Sequence, residues 1–502
     1  MSKTYVLFSF LLLILSCQSI SDIDELTPDE ARILSSGADL QAALHDGYAT
    51  WWQATHGTFP NLALLVAGDA YGLSRGDFGT VEMGIQPRQA FDNRVGNAIN
   101  EVPWYGLLNA ANTATDVLSS LERGISIDKG AAQDQSIRAA AHLLRGLSWG
   151  YMSSLFDQGV IVDETTDLNG DLPLISYQKV LENALSELDA VIDIGNTENA
   201  LSHTYFNRVL LNSDQLSQLV HAYKARFLVY SARTFSENEQ TDWAAVLYHA
   251  ERGLEVDFAP LADGDKWQSY QAYTFAETGK GPFWARLDQR LVAAFDPSQP
   301  VNYPQVSSEN EAPLNSPQAQ SADARLNGDF IYEARINFNP ELGEWHFSHY
   351  KHHRNKTQDN FAGNGQDEGT MPTFLAADNV LLKAEAAYHL GALEEAATLL
   401  NSGSRVARGN LSSVASQAEA IFDAIRYERS VELLSTAPFG LWLDRRRWQE
   451  RENMESLTAL GGLLIGTAAQ LPVPAKELNG RKMDVYTFGG IDDPQGILPI
   501  PQ

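Results

Sequence analysis

Cysteine is almost missing from this chain: Cys17 is the only one in 502 residues. No disulfide can form within the chain, and a cysteine-ligated zinc or iron–sulfur site is excluded. Lysine is scarce too, 11 against 25 arginines, and 64 acidic residues outnumber the 36 basic ones. The formal charge of −28 disfavours polyanionic partners such as nucleic acid. An acidic, lysine-poor surface suits high salt, but ordinary colloidal solubility explains it equally well. There is no His-Glu-x-x-His run and no phosphate-cradling Gly-Lys-Ser/Thr loop. The apolar run Val6–Leu15, broken only by Ser9, is shorter than the roughly 20 residues that span a bilayer.

That run has another reading. Lys3 precedes it, and it ends in Ile14-Leu15-Ser16-Cys17, a lipobox. Residues 1–16 are therefore expected to be a lipoprotein signal peptide, with Cys17 carrying the lipid. Residues 17–26 form an acidic tether, and Thr27-Pro28-Asp29-Glu30 has the chemistry of a helix start. A helix is expected to follow, with interruptions, through Trp52.

Further along, helical stripes recur: Trp104 to Gly124, Gln133 to Phe156, Tyr177 to Ile194, Leu216 to Ser236 and Trp243 to Leu254. Leu62 to Gly79 reads as a helix ending in a polar loop. From about Asp257 to Thr373 the stripes vanish, polar and turn-forming residues accumulate, and aromatics stand in polar surroundings. Phe330 to Tyr350 alternates enough for one or two short strands. A stretch this long without repeated helices reads as a functional insertion.

After the insertion, Asn379–Gly391 and Leu393–Leu400 give two short helices of tetratricopeptide type, AEAAYHLGALEEAATLLN. A third helix, AIFDAIRYERSVELL, carries Arg426, Glu428, Arg429 and Glu432 at spacings that allow pairing along the helix. Then come FGLWLDRRRW (Phe439–Trp448) and LPVPAKELN (Leu471–Asn479). The order helix pair, Ile-x-x-Glu-Arg-x-x-Glu-Leu, Leu-Asp-Arg-Arg-Arg-Trp, Leu-Pro-Val-Pro-x-x-Glu-Leu resembles the C-terminal signature of the SusD/RagB family of nutrient-binding lipoproteins. One departure is Ser435–Gly440, where that family usually has an acidic residue, Gly and Arg.

The resemblance implies a mainly α fold: about four tetratricopeptide-like helix pairs, a long loop-rich insertion and a few short strands. It implies one domain over 27–502, with a scaffold at 27–256 and 374–450. The insertion at 257–373 would face the ligand, and 451–502 would be a C-terminal extended segment. The implied function is capture of an oligosaccharide at the outer-membrane surface and handover to a SusC-like TonB-dependent β-barrel transporter, without enzymatic chemistry or cofactor. Asp22, Asp24 and Glu25 loosely fit the family's signal for display on the outer face.

The loop after the second helix often supplies polar ligand contacts in such proteins, which points to Asp69, Tyr71 and Arg75. Sugar rings have an apolar C–H face and need planar polar partners for their hydroxyls. On that chemistry Trp267, Tyr270 and Trp284 are the expected stacking platform, with Trp104 and Asp69 opposite. Each aromatic taken alone is more readily a core residue under a long loop, and only the cluster as a group brings a ligand role level with that reading. His346, His349, His352 and His353 scatter between two strand faces and do not read as metal ligands. Asp167-Leu168-Asn169-Gly170-Asp171 misplaces the glycine of a calcium loop. Two other readings stay open: a peptide-binding member of the same family, and a secreted all-helical glycosidase or lyase.

Overall fold

The computed structural model describes residues 34–73, 78–127, 131–195, 201–274, 285–302, 317–334, 348–354 and 369–502. The signal segment, Cys17, the tether and the helix start expected at Thr27 lie outside them. The first described helix, α1 (Gly37–His56), starts on a capping box: Ser36 accepts the Asp39 amide, and the Asp39 carboxylate accepts the Ser36 amide at 2.9 Å. Its inner face buries Leu40, Leu44, Tyr48, Trp51 and Trp52, a spacing of about one helical turn. Helix α2 (Thr58–Ala67) follows at once. Helix α3 (Ala98–Glu122) begins six residues before the start expected at Trp104. Asn97 accepts the Ile99 amide as its cap, and Pro103 is carried inside.

The remaining scaffold helices are α4 (Ala131–Leu155), α5 (Tyr177–Gly195), α6 (Ser213–Tyr230), α7 (Trp243–Ala250), α8 (Ala376–His389), α9 (Leu393–Ser402), α10 (Ala418–Val431) and α11 (Gly440–Trp448). Each of α3 to α8 packs on the next, and α8 packs on both α9 and α10. The array therefore passes from α7 to α8 across the long intervening segment. Close axial approach needs small residues: a Cβ added at Gly150 would meet the Phe227 ring at 2.2 Å. The fold is mainly helical, as expected.

Among the short strands, two pairs bear on the site. Strand β1 (Tyr71–Leu73) pairs antiparallel with β2 (Ala285–Leu287), and β3 (Phe330–Tyr332) with β4 (Tyr350–His352). The second pair is the one suggested by the alternation at 330–350. The first was read as loop, because three residues are too few to show a period. One core lies within the helical array, a second gathers α2, the strands, α10 and α11, and a third fills the α8–α10 corner.

The charged signature runs through these cores rather than over a surface. The intrahelical pairing expected on α10 is not what forms. Arg325 donates to Glu428 at 2.7 and 2.9 Å and to Glu432 at 3.0 Å, and Arg429 binds Asp378 and Asp444. Only Arg426 keeps a local partner, Asp423. The reason is burial: Glu428, Arg429 and Glu432 are 1–2% exposed, so each needs a full partner from a neighbouring element. Arg446 has no acid partner among the described residues and instead donates to the carbonyls of Ala232, Ala469, Ser154 and Tyr230. It ties α4, the end of α6 and the Leu471 segment to α11.

Candidate ligand-binding site

The expected aromatic platform is not presented to solvent. Trp104, Trp267 and Tyr270 are 0–1% exposed. Trp104 packs edge-on against Phe156 at 5.0 Å, and Trp267 lies 5.0 Å from Trp52. The Tyr270 ring sits in the core beside the strands, its hydroxyl directed at the Ala437 carbonyl, 3.4 Å away. These rings were expected outside because their sequence neighbours are polar. In the fold Trp267 and Tyr270 fasten the segment after α7 to α1 and the start of α11, and Trp104 packs α3 against Phe156 at the end of α4. Trp284 and Arg75 lie outside the described residues.

Tyr71 belongs to β1 and is fully buried. Its hydroxyl meets His352 Nδ1 at 2.7 Å and Ser435 Oγ at 2.8 Å, and burial pushes its ionisation well up. The strand expected at the surface is buried: His349 and His352 are 2–3% exposed, and His349 Nδ1 lies 2.7 Å from the Glu333 carbonyl, while His346 lies outside the described residues. Asp69 is 2% exposed, and its two carboxylate oxygens take Arg88 Nη2 and Arg290 Nη1, each at 2.7 Å. Arg290 also binds Glu452. Asp69 therefore acts from below, as a brace for Arg88.

Arg88 leads to a cavity that the sequence did not single out. It has a volume of about 390 Å³, within the ordinary range for a small-ligand pocket. Its apolar side is built by Phe59, Phe78, Met83, Ile85, Phe91 and Ile99. Its polar side comes from Glu82, Arg88, Gln89, Asp92, Arg94 and Asn97. Phe59 and Phe78 meet edge-on at 5.4 Å, and Phe78 meets Tyr273 at 5.2 Å. Phe78 holds a left-handed backbone (φ 63°), a conformation that is uncommon for an aromatic residue. The next residue must be glycine: Gly79 has φ 74°, and a Cβ there would lie 2.2 Å from Ile99 Cδ1.

The polar side is unevenly committed. Arg88 is spent on Asp69 and the Met83 carbonyl. Arg94 pairs with Asp92 at 2.8 Å with both side chains exposed, so the bond is weak. Asn97 caps α3 and also donates to the Asp92 carbonyl. Glu82 is exposed and has no ion pair or hydrogen bond among the described residues. The sequence signal that could have found this pocket is the polar run Gln86-Pro-Arg-Gln-Ala-Phe-Asp-Asn-Arg94, which interrupts two helices.

Gly146-Leu147-Ser148-Trp149-Gly150 has the Gly-x-Ser-x-Gly spacing of a hydrolase nucleophile. It lies within α4 rather than on a strand–turn–helix elbow. Ser148 is buried and donates to the Leu144 carbonyl at 2.7 Å, so it offers no nucleophile. Among the described residues no group of three or more His, Cys, Asp or Glu is placed to hold a metal ion. The Asp167 carboxylate accepts the Asn169 amide in a local turn.

Comparison with known proteins agrees with the architecture. Residues 231–489, just over half the chain, match the SusD family. A SusD superfamily protein from Parabacteroides distasonis superposes with a TM-score of 0.62 at 13% identity, covering 89% of this chain and 97% of that one. One from Bacteroides vulgatus gives 0.61 at 14% identity, covering 89% and 98%. A SusD-like carbohydrate binding protein from Bacteroides vulgatus gives 0.57 at 15% identity, covering 82% and 83%. At these identities the likeness establishes the fold. No curated protein matches the sequence.

Proposed function

The chain belongs to the SusD family, and on that premise we propose that it captures an oligosaccharide at the cell surface and passes it to a SusC-like TonB-dependent transporter. Cys17 would hold it to the outer membrane by lipid, which fits the lipobox and the absence, among the described residues, of any helix long and apolar enough to cross a membrane. The observation that carries the reading is the pocket above α3. Its lining combines the aromatic rings of Phe59 and Phe78 with carboxylates, guanidinium groups and amides, the combination that a sugar ring needs. One structural relative is itself described as carbohydrate binding. The protein would bind without transforming its ligand: Ser148 on α4, buried and bonded to the Leu144 carbonyl, is no usable nucleophile.

A glycan array probed with the mature protein tests this, followed by calorimetry on the glycans retained. Phe78→Ala is expected to weaken binding by about 2 kcal/mol, roughly thirtyfold, with the circular dichroism spectrum unchanged. Full affinity in that variant would remove this pocket from the site. Shortened products after incubation with the wild type would show an enzyme instead.

A further inference from the structure

A second cavity, of about 490 Å³, lies one wall away from the first. It is lined by Asp157, Gln158, Asp484, Tyr486, Pro499 and Gln502, among others. Its frame is the C-terminal ribbon, β5 (Tyr486–Thr487) paired antiparallel with β6 (Ile500–Pro501). The wall is thin. Asp92, which lines the first pocket, accepts Gln502 Nε2 at 3.2 Å, and the Asn93 amide donates to Gln502 Oε1 at 2.8 Å. Asn93 Nδ2 in turn donates to the Tyr486 carbonyl at 2.8 Å. The Asp92–Gln502 bond thus joins a residue that lines one cavity to a residue that lines the other, and Asn93 backs that contact.

We propose that the two cavities are subsites of one extended site for a neutral oligosaccharide, meeting at the Asp92–Gln502 contact. The proposal rests on the sugar-capture reading above. The second cavity has the same division of labour as the first. Tyr486 and the proline rings give rigid apolar faces. The Tyr486 ring is fixed in place because its hydroxyl donates to Asp157 Oδ2 at 2.8 Å and accepts from Gln158 Nε2 at 3.1 Å. Asp157 Oδ1 is buried with no hydrogen-bond partner, and the exposed Asp484 and Gln502 supply further groups for hydroxyls. Charge selects the sugar class. The linings hold Glu82, Asp92, Asp157 and Asp484 against Arg88 and Arg94, and Arg88 is already matched by Asp69. The excess is negative, which repels uronates and sulfated sugars and leaves neutral ones.

The test is calorimetry on the full mature chain with disaccharides and hexasaccharides cut from amylose, xylan, β-mannan and laminarin, with oligogalacturonates as the acidic arm. A hexasaccharide is expected to bind at least roughly tenfold more tightly than its disaccharide. Tyr486→Ala and, separately, the exposed Asp484→Ala should abolish or reduce that length gain while leaving the disaccharide affinity in place. Asp484→Ala serves where Tyr486→Ala fails to fold, which its melting curve reveals. Disaccharides that bind through Phe78 with no length gain, or a gain intact in both folded variants, would overturn the extended site and leave the capture reading standing. Tighter binding of oligogalacturonates than of neutral chains would overturn the sugar class. If no sugar binds at all, the capture reading falls and takes this one with it.

Discussion

Replacing Arg447 by methionine tests whether the tryptophan motif acts through buried charge. Its guanidinium is fully buried and grips both oxygens of Glu385, at 2.6 and 3.0 Å. It also donates to Asp444 at 2.7 Å and to Asn238 at 2.9 Å. Asp444 keeps Arg429 when Arg447 is lost, but Glu385 on α8 keeps no cation within hydrogen-bond reach. A buried pair broken from one side costs about 3–5 kcal/mol, mostly as the penalty of the stranded charge. Removing both charges, in Glu385→Leu with Arg447→Met, should recover most of that loss. Burial pushes the Glu385 carboxyl up, and Arg447 outweighs this and holds it below its ordinary 4.5. In the wild type this group therefore adds stability above that value and loses it as pH falls through the lower folded value. In Arg447→Met burial is opposed only by the more distant Arg429 and His389, and the sign is expected to reverse: the folded state binds the proton more tightly, so the deficit should shrink on acidification. Urea unfolding of the four forms at neutral and mildly acidic pH measures all of this. A single-mutant cost below about 1 kcal/mol, or a double mutant costing the sum of the singles, would refute the account.

Two further outcomes follow from burial. His221 and His249 place their Nδ1 atoms 2.8 Å apart between α6 and α7. Burial, with Lys224 and the neighbouring ring, lowers His249 from 6.5 to about 4. The unfolded chain takes up this proton first, so stability should fall as pH drops from 6.5 toward 4, and His249→Gln should flatten that slope in thermal melts. Trp267→Ala, in contrast with a surface platform, should cost about 3–5 kcal/mol in the same melts, with any loss of sugar binding explained by unfolding.

What the sequence revealed and what it hid divide along one physical line. Helices α8 to α11 were legible because their stripes and their small residues repeat at a local period, and local period is what packing of neighbouring helices demands. The partners of their charges were not. Glu428 is satisfied by Arg325, 103 positions away, and Tyr71 by His352, 281 positions away. No local rule encodes such pairs, so the helical spacing of the same acids points instead to partners on their own helix. The aromatics misled for the matching reason. Trp267 and Tyr270 sit among polar neighbours in sequence, yet they are buried by α1, α2 and α11, which come from both ends of the chain.

The pocket is the opposite case. Phe59, Phe78 and Phe91 are spread thinly, and only the left-handed turn at Phe78-Gly79 and the brace of Asp69 under Arg88 gather them into a wall. A cluster in sequence is thus poor evidence for a binding face, because folding spends most clustered aromatics on its own core. The residues left to meet a ligand are those that the core has not already claimed. In this chain Glu82 and Asp484 meet that condition, being exposed at a cavity, and Trp104, Trp267 and Tyr270 do not.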